Sequence, residues 1–112
     1  MGIIIGIDLI EIKEFERNLL LGKDNFKNKV YSSSELTQNK STESLAGVFA
    51  AKEAVFKAID KKTDWREIEI SKKSSGKPYA ESKLFKSLQS WDISISHNGN
   101  YAIAIFTAIT ND

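Results

Sequence analysis

Phe49-Ala50-Ala51-Lys52-Glu53-Ala54-Val55-Phe56-Lys57-Ala58-Ile59 lies near the middle of the chain, and its reading decides the fold. At about 100° per residue, Leu45, Val48, Phe49, Val55, Phe56 and Ile59 share one stripe of a helix. Ala46, Ala50, Ala54 and Ala58 cover much of the rest, so the helix has a thin backbone suited to lying close to another element. Glu53 sits at the edge of the apolar stripe with Lys57 one turn further on, and Lys52 falls in the middle of it. Two readings of these charges are open. In one, Lys52 snorkels and Glu53 pairs with Lys57 across a turn, adding roughly 0.2–0.5 kcal/mol. In the other, the helix carries a carboxylate and two ammonium groups into a cleft that holds a metal ion and phosphates.

The chain around this helix is 112 residues long, enough for a single domain over residues 1–112 with one core. Apolar residues make up 41% and charged residues 28%, an ordinary balance for a soluble globular protein. A formal net charge of +1 gives no global field to attract nucleic acid or a membrane, so a charged partner must be read by a local patch. There is no cysteine and one histidine, His97, which excludes disulfides, thiolate nucleophiles and multi-histidine metal sites. A metal site would be built from oxygen ligands, favouring magnesium, manganese or calcium. Ile3-Ile4-Ile5 is too short for a signal peptide or a membrane span, and the expected location is the cytoplasm.

Ile3 to Ile7 is apolar and β-branched apart from Gly6, which predicts a central strand buried on both faces, ending at Asp8. Asp8 is then either a turn acceptor or a metal ligand on a rigid element. Leu9, Ile12, Phe15 and Leu19 predict a helix over 9–21, followed by a short one containing Phe26 and Val30. Ser32 to Glu35 has capping-box spacing, and Ser41 or Thr42 is the expected cap of the central helix. Beyond Ile59, alternation predicts a strand over 65–71, Ser74 to Pro78 a turn, 81–88 a short helix, and 91–97 and 101–107 a hairpin closed at Asn98-Gly99. The order of elements predicts an α+β fold, an antiparallel sheet packed on a long central helix and shorter ones.

Asp8 and Glu53 are the candidate hard ligands, from separate elements, able to hold magnesium while leaving positions for water and phosphate oxygens. Lys52, Lys57, Lys61, Lys62 and Lys77 are candidates to neutralise phosphate charge, although lysines commonly just cover a solvated face. His97 either bonds a substrate group or satisfies its hairpin.

Gly6-Ile7-Asp8-Leu9-Ile10-Glu11-Ile12, Leu45 to Ala58, Ser75-Gly76-Lys77-Pro78-Tyr79 and Ser94-Ile95-Ser96-His97 together resemble the ordered motif set of the holo-acyl-carrier-protein synthases, the short phosphopantetheinyl transferases. The resemblance runs from about Ile3 to Phe106. It implies a trimer with active sites between protomers that transfers 4′-phosphopantetheine from coenzyme A to a serine of acyl carrier protein. It also implies metal ligands at Asp8 and Glu53, a catalytic lysine at Lys57, and nucleotide contacts around Gly76, Lys77, Pro78, Ser96 and His97. This chain departs from the family pattern at Glu14, where a basic residue is common, at Val48, where an arginine is common, and at Asp60-Lys61-Lys62-Thr63, which replaces a longer glycine-rich loop. Lys61 and Lys62 are candidates to compensate. The departures leave open a catalytically weak relative that binds coenzyme A or carrier protein without turnover, whereas Asp8, Glu53 and Lys57 standing together favour an enzyme. An acidic carrier protein is expected to dock on Lys13 and Arg17, four residues apart on the first helix.

Overall fold

The fold was established from a computed structural model, which describes residues 1–111. In chain order the elements are β1 (Ile3–Glu11), α1 (Ile12–Val30), α2 (Ser33–Gln38), α3 (Thr42–Ile59), β2 (Glu69–Lys72), β3 (Pro78–Glu81), β4 (Leu88–His97) and β5 (Tyr101–Thr110). Strands β1, β5 and β4 form an antiparallel sheet in that order, and β2 pairs with β3 in a second, two-stranded one. The architecture is α+β, with α3 lying across the inner face of the three-stranded sheet.

The small residues of α3 allow that close approach. Gly6 of β1 is buried, and a Cβ there would overlap the Ala54 carbonyl oxygen and come within 2.8 Å of Ala58 N. From β5, Ala102, Ala104, Phe106 and Ala108 turn the same way and are buried against the helix. Each large side chain removed from water in this layer stabilises the fold by roughly 1.5–3 kcal/mol. Ser41 caps α3 by accepting from Ser44 N at 3.1 Å, and Asp60 ends it in a left-handed conformation at φ 55°. Ser32 and Glu35 form the expected reciprocal box at the start of α2. The first two predicted helices run together as α1, kinked at Lys23 (φ 49°).

Four expectations need correction. β1 is an edge strand, not a central one: Gly6 and its inward neighbours meet α3, whereas Ile3, Ile5, Ile7 and Leu9 are exposed. The run of apolar residues has two apolar faces, but one chain covers only one. β1 also continues past Asp8 to Glu11, because Glu11 still pairs with Tyr101, so Leu9 is strand and the helix starts at Ile12. Trp65–Glu67 is a 3-10 turn, set by the Asp64 side chain accepting from Arg66 N at 2.9 Å, and the strand begins only at Glu69. The helix expected over 81–88 is likewise a 3-10 turn, Lys83–Ser87, started by Ser82 accepting from Leu84 N.

Candidate active site

Asp8 stands on the inner face of β1, opposite the exposed row of isoleucines, and looks toward α3. Lys57 reaches it from the helix, donating to Asp8 Oδ1 at 2.9 Å and to the Ile7 carbonyl at 3.0 Å. The other oxygen, Asp8 Oδ2, is buried and accepts no hydrogen bond. A buried carboxylate oxygen without a partner carries a desolvation penalty that a cation would remove. Glu53 lies one helical turn before Lys57 and accepts from Lys62 Nζ at 3.3 Å. The i,i+4 pairing of Glu53 with Lys57 does not form, because each takes a partner outside the helix. Among the described residues there is no cluster of three or more His, Cys, Asp or Glu side chains. The two candidate carboxylates, Asp8 on β1 and Glu53 on α3, are donors of the kind that suits a hard divalent ion completed by water and phosphate oxygens.

Lys52 neither snorkels nor faces a substrate. It is fully buried, and its ammonium donates to Glu35 Oε1 at 2.7 Å, the Val30 carbonyl at 2.6 Å and the Trp65 carbonyl at 3.1 Å. All three donors are used inside the core, so its assignment to phosphate binding is withdrawn. Burial pulls the Lys52 ammonium down from the ordinary lysine range, and the Glu35 carboxylate opposes that shift. Glu35 also accepts from Ile70 N at 2.7 Å and Ser32 N at 2.9 Å, so one carboxylate ties α2, β2 and α3 together. Its wider role is invisible in the sequence beyond the capping box, although a lysine inside an apolar stripe demands a buried acid somewhere.

Gly76, Pro78 and His97 come together, with Val48, Gly47 and Ile95, around a pocket of about 220 Å³ on the β4 side of α3. Lys72 also lines it, a basic residue outside the set that the sequence singles out. The remaining candidates fall elsewhere. Lys77 turns to Asp92 Oδ1 (2.8 Å) and the Ile93 carbonyl (3.2 Å), and with the Ile93 amide it holds the Asp92 carboxyl below the usual carboxylate range. Ser96 faces the opposite side of β4 from His97, since it pairs with Ile103 on the outer face. Lys61 lines a separate hollow with Ile4, Ile59, Leu84 and Leu88. Lys62 instead rests over the indole of Trp65, 4.4 Å from the ring centroid.

Lys13 and Arg17 are exposed on α1 and, among the described residues, form no ion pair. Beside them Leu9, Ile10, Glu14, Phe15, Phe26 and Phe49 line a further pocket.

The sequence profile of the 4′-phosphopantetheinyl transferase superfamily matches residues 4–106. A holo-(acyl-carrier-protein) synthase of Sulfurovum sp. is 38% identical over 109 residues, covering 90% of this chain and 92% of that protein. One of Fusobacterium nucleatum is 39% identical over 116 residues, covering 90% and 93%. Among solved structures, the Helicobacter pylori holo-(acyl-carrier-protein) synthase in complex with coenzyme A superposes with a TM-score of 0.87 at 31% identity, covering 93% of this chain and 98% of that one. The Bacillus anthracis synthase in complex with CoA (3′,5′-ADP) gives a TM-score of 0.83 at 30% identity, covering 98% and 100%.

Proposed function

The chain belongs to the holo-(acyl-carrier-protein) synthases of the 4′-phosphopantetheinyl transferase superfamily, and from that membership we propose that it is a magnesium-dependent enzyme of the cytoplasm that modifies acyl carrier protein. The serine hydroxyl of the apo carrier protein attacks the β-phosphorus of coenzyme A. The bond to the bridging oxygen breaks, and adenosine 3′,5′-bisphosphate leaves while 4′-phosphopantetheine stays on the serine.

The observation that carries this reading is the buried, unpartnered Asp8 Oδ2 beside Lys57. Asp8 and Glu53 would hold the metal, which when bound neutralises the diphosphate and polarises it toward attack. Lys57 is half exposed, so its ammonium is free on one side to meet a phosphate oxygen while Asp8 and the Ile7 carbonyl fix the other. The serine proton passes to Glu53 or to water. The nucleotide is assigned to the pocket bounded by Gly76, Pro78 and His97, with Lys72 supplying the positive charge that Val48 does not. Lys77 is held by Asp92 and the Ile93 carbonyl and stands outside the lining of that pocket.

A homotrimer is part of the same proposal. The outer face of β1 and β5 leaves Ile3, Ile5, Ile7, Leu9, Tyr101 and Ile105 exposed, an apolar layer that a single chain does not cover. Asp8 sits on β1 and the nucleotide pocket reaches β4, with β5 between these two strands in the sheet, which favours a site completed by a neighbouring protomer. Sedimentation at nanomolar concentration is expected to give a trimer, and an active monomer would overturn that part. The activity itself is tested by mass spectrometry of apo carrier protein incubated with coenzyme A and magnesium. The adduct mass is expected with the parent protein and absent with Asp8→Asn or Glu53→Gln. Absence of the adduct with the parent protein would refute the activity, and turnover in excess chelator, or by either variant, would refute the metal assignment.

A further inference from the structure

The two carboxylates at the site are each met by a lysine, but the two lysines are held differently. Lys57 makes two hydrogen bonds in fixed directions, to Asp8 Oδ1 and to the Ile7 carbonyl. Lys62 makes one, to Glu53 Oε1 at 3.3 Å, long for a charge-assisted bond, and its other support is the face of the Trp65 indole. A ring face attracts an ammonium without prescribing one direction, so Lys62 is able to slide across Trp65 where Lys57 is not.

The indole itself does not move with it. Trp65 stacks on Phe49 with centroids 4.8 Å apart and meets Phe56 edge-on at 5.5 Å. Its carbonyl accepts from the buried Lys52 ammonium, and the Asp64 side chain caps the turn that carries it. The left-handed Asp60 ends α3 abruptly, so only Lys61 to Asp64 connect the helix to this turn, and Lys62 lies within reach of both Trp65 and Glu53. Lys61, its neighbour, turns to the other side of the helix end.

We infer that Lys62, seated on Trp65, is the resident counter-cation of Glu53 and is displaced along the indole when a divalent cation binds. The inference rests on the reading of Asp8 and Glu53 as the metal carboxylates. Lys62 keeps Glu53 neutralised before the metal arrives, and competes with it. Once released from Glu53, the ammonium still stands on Trp65 at the edge of the site, where a diphosphate is the complementary ligand. Trp65 is then a positioning residue, acting only through Lys62.

The test is Mn²⁺ binding to the whole protein, read by the paramagnetic resonance of free ion, for the parent, Lys62→Met and Lys61→Met. Removing the competitor is expected to tighten Mn²⁺ binding by about two- to five-fold in Lys62→Met, the range to which an exposed ion pair converts. Lys61→Met removes the same charge without the contact and is expected to bind as the parent does. The chain has two tryptophans, so in Trp91→Phe the emission reports Trp65 alone. Mn²⁺ is replaced by Mg²⁺ for that measurement, because manganese quenches. Emission is expected to shift as Mg²⁺ saturates Trp91→Phe, and to stay constant in Trp91→Phe/Lys62→Met. Equal Mn²⁺ affinity in the parent and Lys62→Met, or equal tightening in both lysine variants, overturns the inference while leaving the metal site standing. Absence of Mn²⁺ binding in every protein overturns both.

Discussion

Lys52→Met separates the two roles this lysine could have had. In the folded protein its ammonium is fully buried and spends its three donors on Glu35, Val30 and Trp65. Methionine fills a similar volume but leaves the Glu35 carboxylate buried with only the Ser32 and Ile70 amides for company. Breaking one side of a buried ion pair costs about 3–5 kcal/mol, because the surviving charge stays out of water. That is a large share of the roughly 5–15 kcal/mol that holds a domain together. Urea unfolding followed by far-ultraviolet circular dichroism would show the midpoint falling steeply at an unchanged slope. Glu35→Gln keeps an acceptor for the two amides and should lose less, and the double variant should lose less than the sum of the singles, since removing both charges removes the orphan. At a temperature where Lys52→Met is still folded, its KM for coenzyme A should match the parent's. A loss below about 1 kcal/mol together with a raised KM for coenzyme A would refute the reasoning, for the ammonium would then be available to a ligand.

Gly6→Ala should force α3 away from β1, since its new methyl meets backbone at Ala54 and Ala58. Calorimetry should show a loss of about 1–3 kcal/mol, and kcat/KM should fall about 100-fold as Glu53 and Lys57 shift relative to Asp8; parent-like values in both would show that the helix can give. Tyr31 donates to the Leu45 carbonyl at 2.7 Å, and burial, reinforced by Glu35, pushes its phenol far above the ordinary value. The neutral phenol is the folded form, so this stabilisation is complete below the unfolded value of about 10 and is lost as the pH rises beyond it, at about 1.4 kcal/mol per pH unit. Tyr31→Phe should therefore be less stable than the parent at pH 8 by about 1 kcal/mol and lose less between pH 10 and 11; parallel stability curves would contradict the shift. Lys13→Ala/Arg17→Ala should raise KM for the carrier protein and flatten its salt dependence, with coenzyme A saturating. An unchanged salt profile would move the docking site elsewhere.

Local chemistry was legible in the sequence wherever the interaction spans a few residues. The capping box at Ser32 and Glu35, the cap at Ser41, the hairpin at Asn98-Gly99 and the thin helix with alanines at 46, 50, 54 and 58 all stand in the structure as their spacing implies. That Asp8 and Glu53 stand on separate elements was legible too, and they lie on β1 and α3. The partners of the charges were not. Glu53 and Lys57 satisfy every rule for an i,i+4 pair, yet Lys57 bonds Asp8, 49 residues away, and Glu53 bonds Lys62. Lys52 pairs with Glu35 across 17 residues, where tertiary packing brings the two together in the core. Spacing along one helix says which side chains share a face, whereas only packing decides what lies opposite that face. For β1 the same limit acts in reverse: its composition is that of a strand covered on both sides, but the single chain supplies a helix to one side and leaves the other bare. Apolar sequence determines that a surface must be buried, and the tertiary arrangement determines by what.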